Sequence, residues 1–394
     1  MHYIRLLRPA KFDATDPRRP TISLLITVTT DLGDSFLYPD FPLDLIVEAH
    51  SSAGKLTTYR AKWSAGLRVL KLEIPVIPGL KKGDATYTLN ISPESHRLPG
   101  GVLSTNHVLP WTIPSTHRHV STRGLVMPAT VKMFKGVCEP VSVRTLELPD
   151  NGLQLEVEED IGESIARHIW DAGVVTASFL AHLILDCGDA SAVLPVRKDT
   201  FNALELGTGV GILGITLARI LENVATIQGR ILVEAAVLLT DLPEAEERAK
   251  SNIARAETAL SRSQSNGSVT TLQYENLDWD EGKLGRFGPL ASSRPWDLVI
   301  LSDCTYNVDS LPALIGTLSA LHAANLKHPN MPADAETSVI LATKPRHSSE
   351  EALFGLLEAD AWRYRVIKSI PLPKLGEESE VVDIYLLEKG TGPT

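Results

Sequence analysis

Residues 203–218 read ALELGTGVGILGITLA. Ala203, Leu204 and Leu206 make an apolar strand, and Ile212, Leu213, Ile215 and Leu217 recur after it at helical spacing. Between them lie Gly207, Gly209 and Gly211, in a turn where glycine permits positive φ and close approach of a ligand to the backbone. The helix that follows offers unpaired N–H groups at its start. In an open α/β sheet this position, beyond the carboxyl end of a strand, is where ligands bind. The spacing departs from the dinucleotide fingerprint G-x-G-x-x-G: the third glycine comes one residue early, and Glu205 precedes the first glycine by two. No Lys-Ser or Lys-Thr pair follows, which disfavours a nucleotide-hydrolase phosphate loop.

Strands at 202–206, 237–241, 297–302 and 338–342 alternate with helices at about 160–186, 210–221, 243–257, 309–323 and 348–359, and strands at 363–370 and 381–387 close the chain. Such alternation predicts an α/β domain built on a parallel sheet with helices on both faces. The N-terminal part has a different texture. Segments 22–31, 42–50, 67–75 and 86–92 are short, rich in Val, Ile, Leu and Thr, and bounded by turn residues. Leu43, Leu45 and Val47 recur with period two, so a small antiparallel sandwich or barrel is expected. The polar stretch PSTHRHVSTRG at 114–124 reads as a linker, and its His117 and His119 lack a nearby third metal ligand. The expected division is a β-rich domain with linker over 1–125 and a second domain over 126–394. The second domain opens with a hairpin, PVSVRTLEL and LQLEVEED joined by PDNG.

Asp241 ends the second strand of the α/β region, where a carboxylate accepts hydrogen bonds from two adjacent ribose hydroxyls; Asp before Leu-Pro-Glu is equally good helix-start chemistry. It stands 34 residues after Gly207, longer than the ~20 of a dinucleotide fold, and the surplus is assigned to an insertion around 222–236.

The run E-L-G-x-G-x-G resembles motif I of the class I, seven-β-strand methyltransferases. Four further stretches narrow the likeness: HIWDAGVVTASFLAHLI before the turn, LTDLPEA with SNI, NLDWD, and DLVILSDCTYNVDSLPALIGTL. Together they resemble the methyltransferase-like protein-lysine methyltransferases over about 138–390, a family whose members modify heat-shock chaperones, a valosin-type ATPase and elongation factors. The resemblance implies a Rossmann-like, seven-stranded, mostly parallel sheet and S-adenosyl-L-methionine as cofactor. It further implies that Gly207, Thr208, Gly209 and Gly211 pass along the methionine part of the cofactor, that Glu205 orders the loop, and that Asp241 and Leu242 meet the ribose. Asp278 and Trp279 fall at the family's adenine site, Trp170 closes the pocket, and the backbone of Ser302 meets the cofactor. Asp303 and Tyr306 match the D-x-x-Y element at the mouth of the site and are the expected catalytic pair. TKPRH at 343–347 also matches after the fifth strand, its basic residues being expected as rim charge.

The chemistry required is modest. A lysine ammonium, pKa ~10.4 in water, must lose a proton before its nitrogen attacks. A carboxylate orients the ammonium, a cationic cofactor disfavours the charged form, and an aromatic face holds the cation. The transfer needs no metal and no thiol nucleophile, so Cys304, inside the D-x-x-Y element, is not expected to react.

Bulk properties are those of an ordinary globular chain: 394 residues, 43% hydrophobic, 22% charged. A net charge of −10 argues against nucleic-acid and anionic-membrane partners. Cys138, Cys187 and Cys304 form no CxxC pair, which fits a reducing compartment. A cytoplasmic location is expected, with the nucleus also open. The sequence leaves two other functions standing: a methyltransferase acting on a small molecule or another protein nitrogen, and a scaffold in which the methyltransferase fold is vestigial.

Overall fold

The computed structural model describes residues 1–13, 15–16, 18–51, 54–76, 86–94, 103–104, 125–147, 154–162, 165–185, 199–223, 226–227, 230–260, 269–329, 337–372 and 380–389. The 114–124 linker with its two histidines, the PDNG turn and Cys187 lie outside them. The chain forms two compact units, residues 1–168 with 371–380, and residues 169–370 with 381–394.

Apart from the 3-10 turn Ile165–Arg167, the elements of the first unit among the described residues are β-strands. Its strands, among them Thr21–Thr29, Leu43–Ser51, Gly54–Trp63, Leu70–Pro75 and Thr86–Pro93, pair into one connected and mainly antiparallel sheet. Alternate residues point inward, so Ile22, Leu24 and Ile26 meet Leu45, Val47 and Trp63 in one core. The indole N–H of Trp63 is satisfied by the Leu37 carbonyl at 2.8 Å.

The boundary falls elsewhere than at 125/126. Ala129–Phe134 pairs with Thr86–Pro93 and also with Val141–Glu147, whose hairpin partner is Gln154–Asp160. The hairpin is therefore part of the first unit's sheet. It is fastened there by buried Arg144, which donates to Glu159 at 2.5 Å and to the carbonyls of Met127 and Pro128. A hairpin's sequence specifies its own turn and register but not the sheet that it extends.

The second unit is doubly wound. Its sheet contains β1 (Thr200–Leu206), β2 (Glu234–Asp241), β3 (Val269–Asn276), β4 (Leu298–Ser302), β5 (Ser338–Thr343), β6 (Trp362–Pro371) and β7 (Val381–Lys389), in the spatial order β3-β2-β1-β4-β5-β7-β6. Strands β1 to β5 run parallel, but β7 is antiparallel to β5, so the sheet is mixed rather than uniformly parallel. Only nine residues separate β6 from β7, and a parallel crossover needs roughly a dozen or more. Strand β3 was not delimited in the sequence, because its burial alternates irregularly after a long polar stretch.

Among the described residues six helices accompany these strands: α1 (Asp171–Leu185), α2 (Ile212–Asn223), α3 (Pro243–Leu260), the single turn α4 (Trp279–Gly282), α5 (Leu311–Lys327) and α6 (Ala352–Ala359). The helix expected from about 160 begins only at Asp171, since residues up to Asp160 belong to the hairpin and Ile165–Arg167 is one 3-10 turn. Leu204 and Leu206, Val299 and Leu301, Val339 and Leu341, and Tyr385 and Leu387 line one sheet face, which α5 and α6 cover with Leu311, Leu314, Leu318, Leu353 and Leu357. Helices α1, α2 and α3 form a second group, packed on one another and on the strands. Among the described residues no helix is long and apolar enough to cross a membrane.

Candidate active site

The topology brings the ends of β1, β2, β4 and β5 to one sheet edge, and the singled-out residues gather there. Gly207, Gly209 and Gly211 all adopt positive φ, of 64°, 54° and 86°. A side chain at Gly207 would place its Cβ 2.5 Å from Cys304 Sγ and 3.3 Å from the Trp279 ring. The turn is braced from below by Glu205. Its carboxylate accepts from the Thr208 hydroxyl at 2.6 Å and from the Gly214 N–H at 3.0 Å, and its carbonyl accepts from the Thr240 hydroxyl. From the side, buried Asn252 of α3 donates to the Val210 carbonyl at 2.8 Å.

Burial pushes the Glu205 carboxyl up to about 8, against the pull of its two donors. Its unfolded value is 4.5, so between these limits the folded chain keeps a proton that the unfolded chain has lost. Glu205 therefore favours folding most at pH below 4.5, and that contribution declines as pH rises toward 8. The loss is at most about 1.4 kcal/mol per pH unit. Glu205→Gln keeps both acceptor contacts and removes the titration. Urea midpoints at pH 5 and pH 8 are expected to fall for the wild type and to change less for the variant; parallel profiles would contradict it.

Asp241 accepts from the Gly209 N–H at 2.7 Å and from the Leu242 N–H at 2.7 Å, which locks its carboxylate beside the turn. Each oxygen retains lone-pair capacity for hydroxyl donors. Burial raises its pKa, and the two N–H groups oppose that rise. Leu242 is 44% exposed, and its carbonyl accepts from the Tyr274 hydroxyl on β3. Asp278 caps α4 by accepting from the Asp280 N–H, and half-buried Trp279 packs on the core behind the turn. Cys304 is buried among the carbonyls of Leu206 and Ser302, and burial holds its thiol well above the ordinary range. It fills space and is not poised as a nucleophile.

Asp303 departs from a simple open carboxylate. It holds φ +52°, a left-handed conformation rare outside glycine. Its Oδ2 accepts from the Ala172 N–H at 2.8 Å, capping α1, and its Oδ1 accepts from Arg346 Nη2 at 3.1 Å. The Arg346 guanidinium lies 5.0 Å from the Trp170 ring centroid. The ring of Tyr306, 52% exposed, is parallel to that of Trp170 within 5° at 6.4 Å. Ser302 is turned toward α1, its Oγ 3.3 Å from where a Gly173 Cβ would stand.

TKPRH does not carry rim charge. Lys344 is buried and donates to buried Asp171 at 2.8 Å, while Arg346 belongs to the Asp303 cluster. Buried Glu350 accepts from the N–H groups of Arg346 and His347 and from the Thr305 hydroxyl, so the loop after β5 is fixed to that after β4. Asp171, Lys344 and Arg346 went unrecognised as site residues. The quoted motifs contain all three, but their pairing across the fold is visible only in space.

Residues 149–360, more than half of the chain, match the family described as lysine methyltransferase. The chain belongs to this family. This lysine methyltransferase family member is 25% identical over 398 residues to the UPF0665 family protein C23C4.06c of Schizosaccharomyces pombe, covering 98% of this chain and 99% of the relative. Among solved structures it is similar to P. horikoshii TYW2 in complex with MeSAdo, with 14% identity, TM-score 0.31, and 75% and 90% of the two chains covered. It is also similar to M. jannaschii TYW2 in complex with AdoMet, with 12% identity, TM-score 0.27, and 64% and 87% covered. The family membership makes the protein an S-adenosylmethionine-dependent methyltransferase.

Proposed function

We propose that this enzyme is a protein-lysine N-methyltransferase that acts on a folded protein. The observation supporting this most directly is the group of Asp303, Trp170 and Tyr306 at the end of β4, a carboxylate beside two parallel aromatic rings. It stands on the same sheet edge as the glycine turn and Asp241.

The residues fit the cofactor. Gly207, Gly209 and Gly211 at positive φ leave the backbone of the turn bare, and Asp241 presents acceptors for ribose hydroxyls. Gly207, Thr208, Gly209 and Gly211 would carry the methionine part, with Leu242, Asp278 and Trp279 around the adenosine. When bound, S-adenosylmethionine supplies a sulfonium methyl group, which passes to a nitrogen lone pair as the C–S bond breaks and S-adenosylhomocysteine leaves.

The chain's own task is to present that nitrogen. Asp303 attracts the lysine ammonium, and the Trp170 and Tyr306 rings hold its alkyl stem and cationic head. The ammonium releases its proton to solvent before attack, favoured by the nearby positive charge. Positioning then supplies most of the acceleration. Partners are protein substrates of the kind the family modifies, such as a chaperone, an ATPase or a translation factor, in the cytoplasm.

The test is a heavy-methyl assay. The enzyme and labelled S-adenosylmethionine are incubated with cell extract, and labelled proteins are mapped by mass spectrometry. Label on lysine, lost with Asp303→Asn, is expected. Label on histidine, an N-terminal amine or only small molecules would overturn the lysine assignment.

A further inference from the structure

The Asp303 cluster has the composition of a cation site, and it is already filled. A side-chain carboxylate only 4% exposed and the face of Trp170 surround one guanidinium, that of Arg346, itself 15% exposed. The same arginine lines a neighbouring cavity of about 410 Å³ with Thr305, His347, Glu351, Phe354 and Tyr385. That cavity is large enough for a guanidinium, and Glu351 on its wall offers a second carboxylate.

We infer that Arg346 is an internal stand-in for the acceptor: its guanidinium holds the place of an alkylammonium at Asp303 and Trp170, and an incoming lysine displaces it into the adjoining cavity. The inference rests on the lysine assignment above and extends it to selectivity. A free alkylammonium must compete with a cation that is already ion-paired and held against a ring. Its apparent affinity is the intrinsic affinity multiplied by the fraction of molecules in which Arg346 has left. Only an acceptor that gains further contacts elsewhere, as a folded protein does, overcomes that occupancy. Arg346 is thus a specificity-determining residue.

The probe is n-butylammonium chloride, with n-butanol as the uncharged control, measured by calorimetry on the full chain. Arg346→Gln is expected to bind n-butylammonium at least ~10-fold more tightly than the wild type, a gain equal to the removed competition. Arg346→Lys, which keeps a cation, is expected to stay near the wild type. Adding Asp303→Asn to Arg346→Gln is expected to abolish the gain, and n-butanol to show none. Equal ammonium binding by wild type and Arg346→Gln, or none by either, overturns the inference. Removing one partner of this pair leaves Asp303 buried without its cation, so folding is checked by circular dichroism.

A second measurement uses the wild type alone. The side-chain Nε–Hε resonance of Arg346, assigned by its loss in Arg346→Lys, is followed by NMR. It is expected to lose the ring-current shift of Trp170 as n-butylammonium is added. An unmoved resonance overturns the inference even if Arg346→Gln fails to fold. Ammonium binding as expected without lysine label in extract would remove the lysine assignment and leave the cation site standing. Lysine label with an immobile Arg346 would remove this inference alone.

Discussion

Gly207→Ala is expected to abolish cofactor binding while the chain still folds. The new Cβ would stand 2.5 Å from Cys304 Sγ and 3.3 Å from Trp279, in a residue held at φ +64°. A non-glycine residue in that conformation costs roughly 1–3 kcal/mol, and crowding a packed site costs about as much again. Cys304 cannot yield, because it is buried at the end of β4. The strain is relieved by moving the turn, which carries Gly209 away from Asp241. Calorimetry with S-adenosylhomocysteine is expected to show affinity reduced at least ~100-fold, equivalent to about 2.7 kcal/mol. Thermal unfolding should show a smaller loss than for a core deletion. The double variant Gly207→Ala/Cys304→Ala separates the causes: removing Sγ relieves the collision but not the backbone strain, so partial recovery is expected. Unchanged binding by Gly207→Ala would remove the turn from the cofactor site.

Lys344→Met should have the largest effect on stability. Its ammonium, 4% exposed, meets an Asp171 carboxylate that is fully buried. Losing one member of such a pair costs roughly 3–5 kcal/mol, because the other stays charged and buried. For a unit of about 200 residues that is a fall of roughly 6–20 °C in midpoint. Combining Lys344→Met with Asp171→Asn removes both charges and is expected to recover much of the loss. The effect extends to chemistry, since Asp171 opens α1 directly after Trp170. One end of that helix is held from β5 through Lys344 and from β4 through Asp303. A slackened α1 shifts the Trp170 ring, so the surviving Lys344→Met enzyme should turn over more slowly with nearly unaltered cofactor affinity. A midpoint within 2–3 °C of wild type would mean that the pair contributes little.

The parts of the fold that are local in sequence were legible there. Three glycines after an apolar strand, an aspartate ending the next strand, and a period-two run at Leu43, Leu45 and Val47 each encode geometry within a few residues. The pairing of Val141–Glu147 with Gln154–Asp160 was legible as two β-rich runs flanking PDNG. What failed was non-local. The hairpin's membership of the first unit depends on Arg144 reaching carbonyls 16 and 17 residues away. Lys344 and Asp171 lie 173 residues apart, so Lys344 read as ordinary rim charge with no sign of its partner. The motif identified Asp303 but not that both its oxygens are engaged within the fold.

Pro371, Leu372 and Glu380 group with the first 168 residues. During synthesis they emerge about 200 residues after the rest of that unit, a delay of roughly 10–40 s at ordinary elongation rates. The N-terminal unit therefore waits for its final segment until nearly the whole of the catalytic unit has been made. Only then does the ribosome deliver β7, the strand that separates β5 from β6. Both halves are completed at almost the same moment, so a nascent chain stalled before residue 371 holds two unfinished units rather than one finished domain.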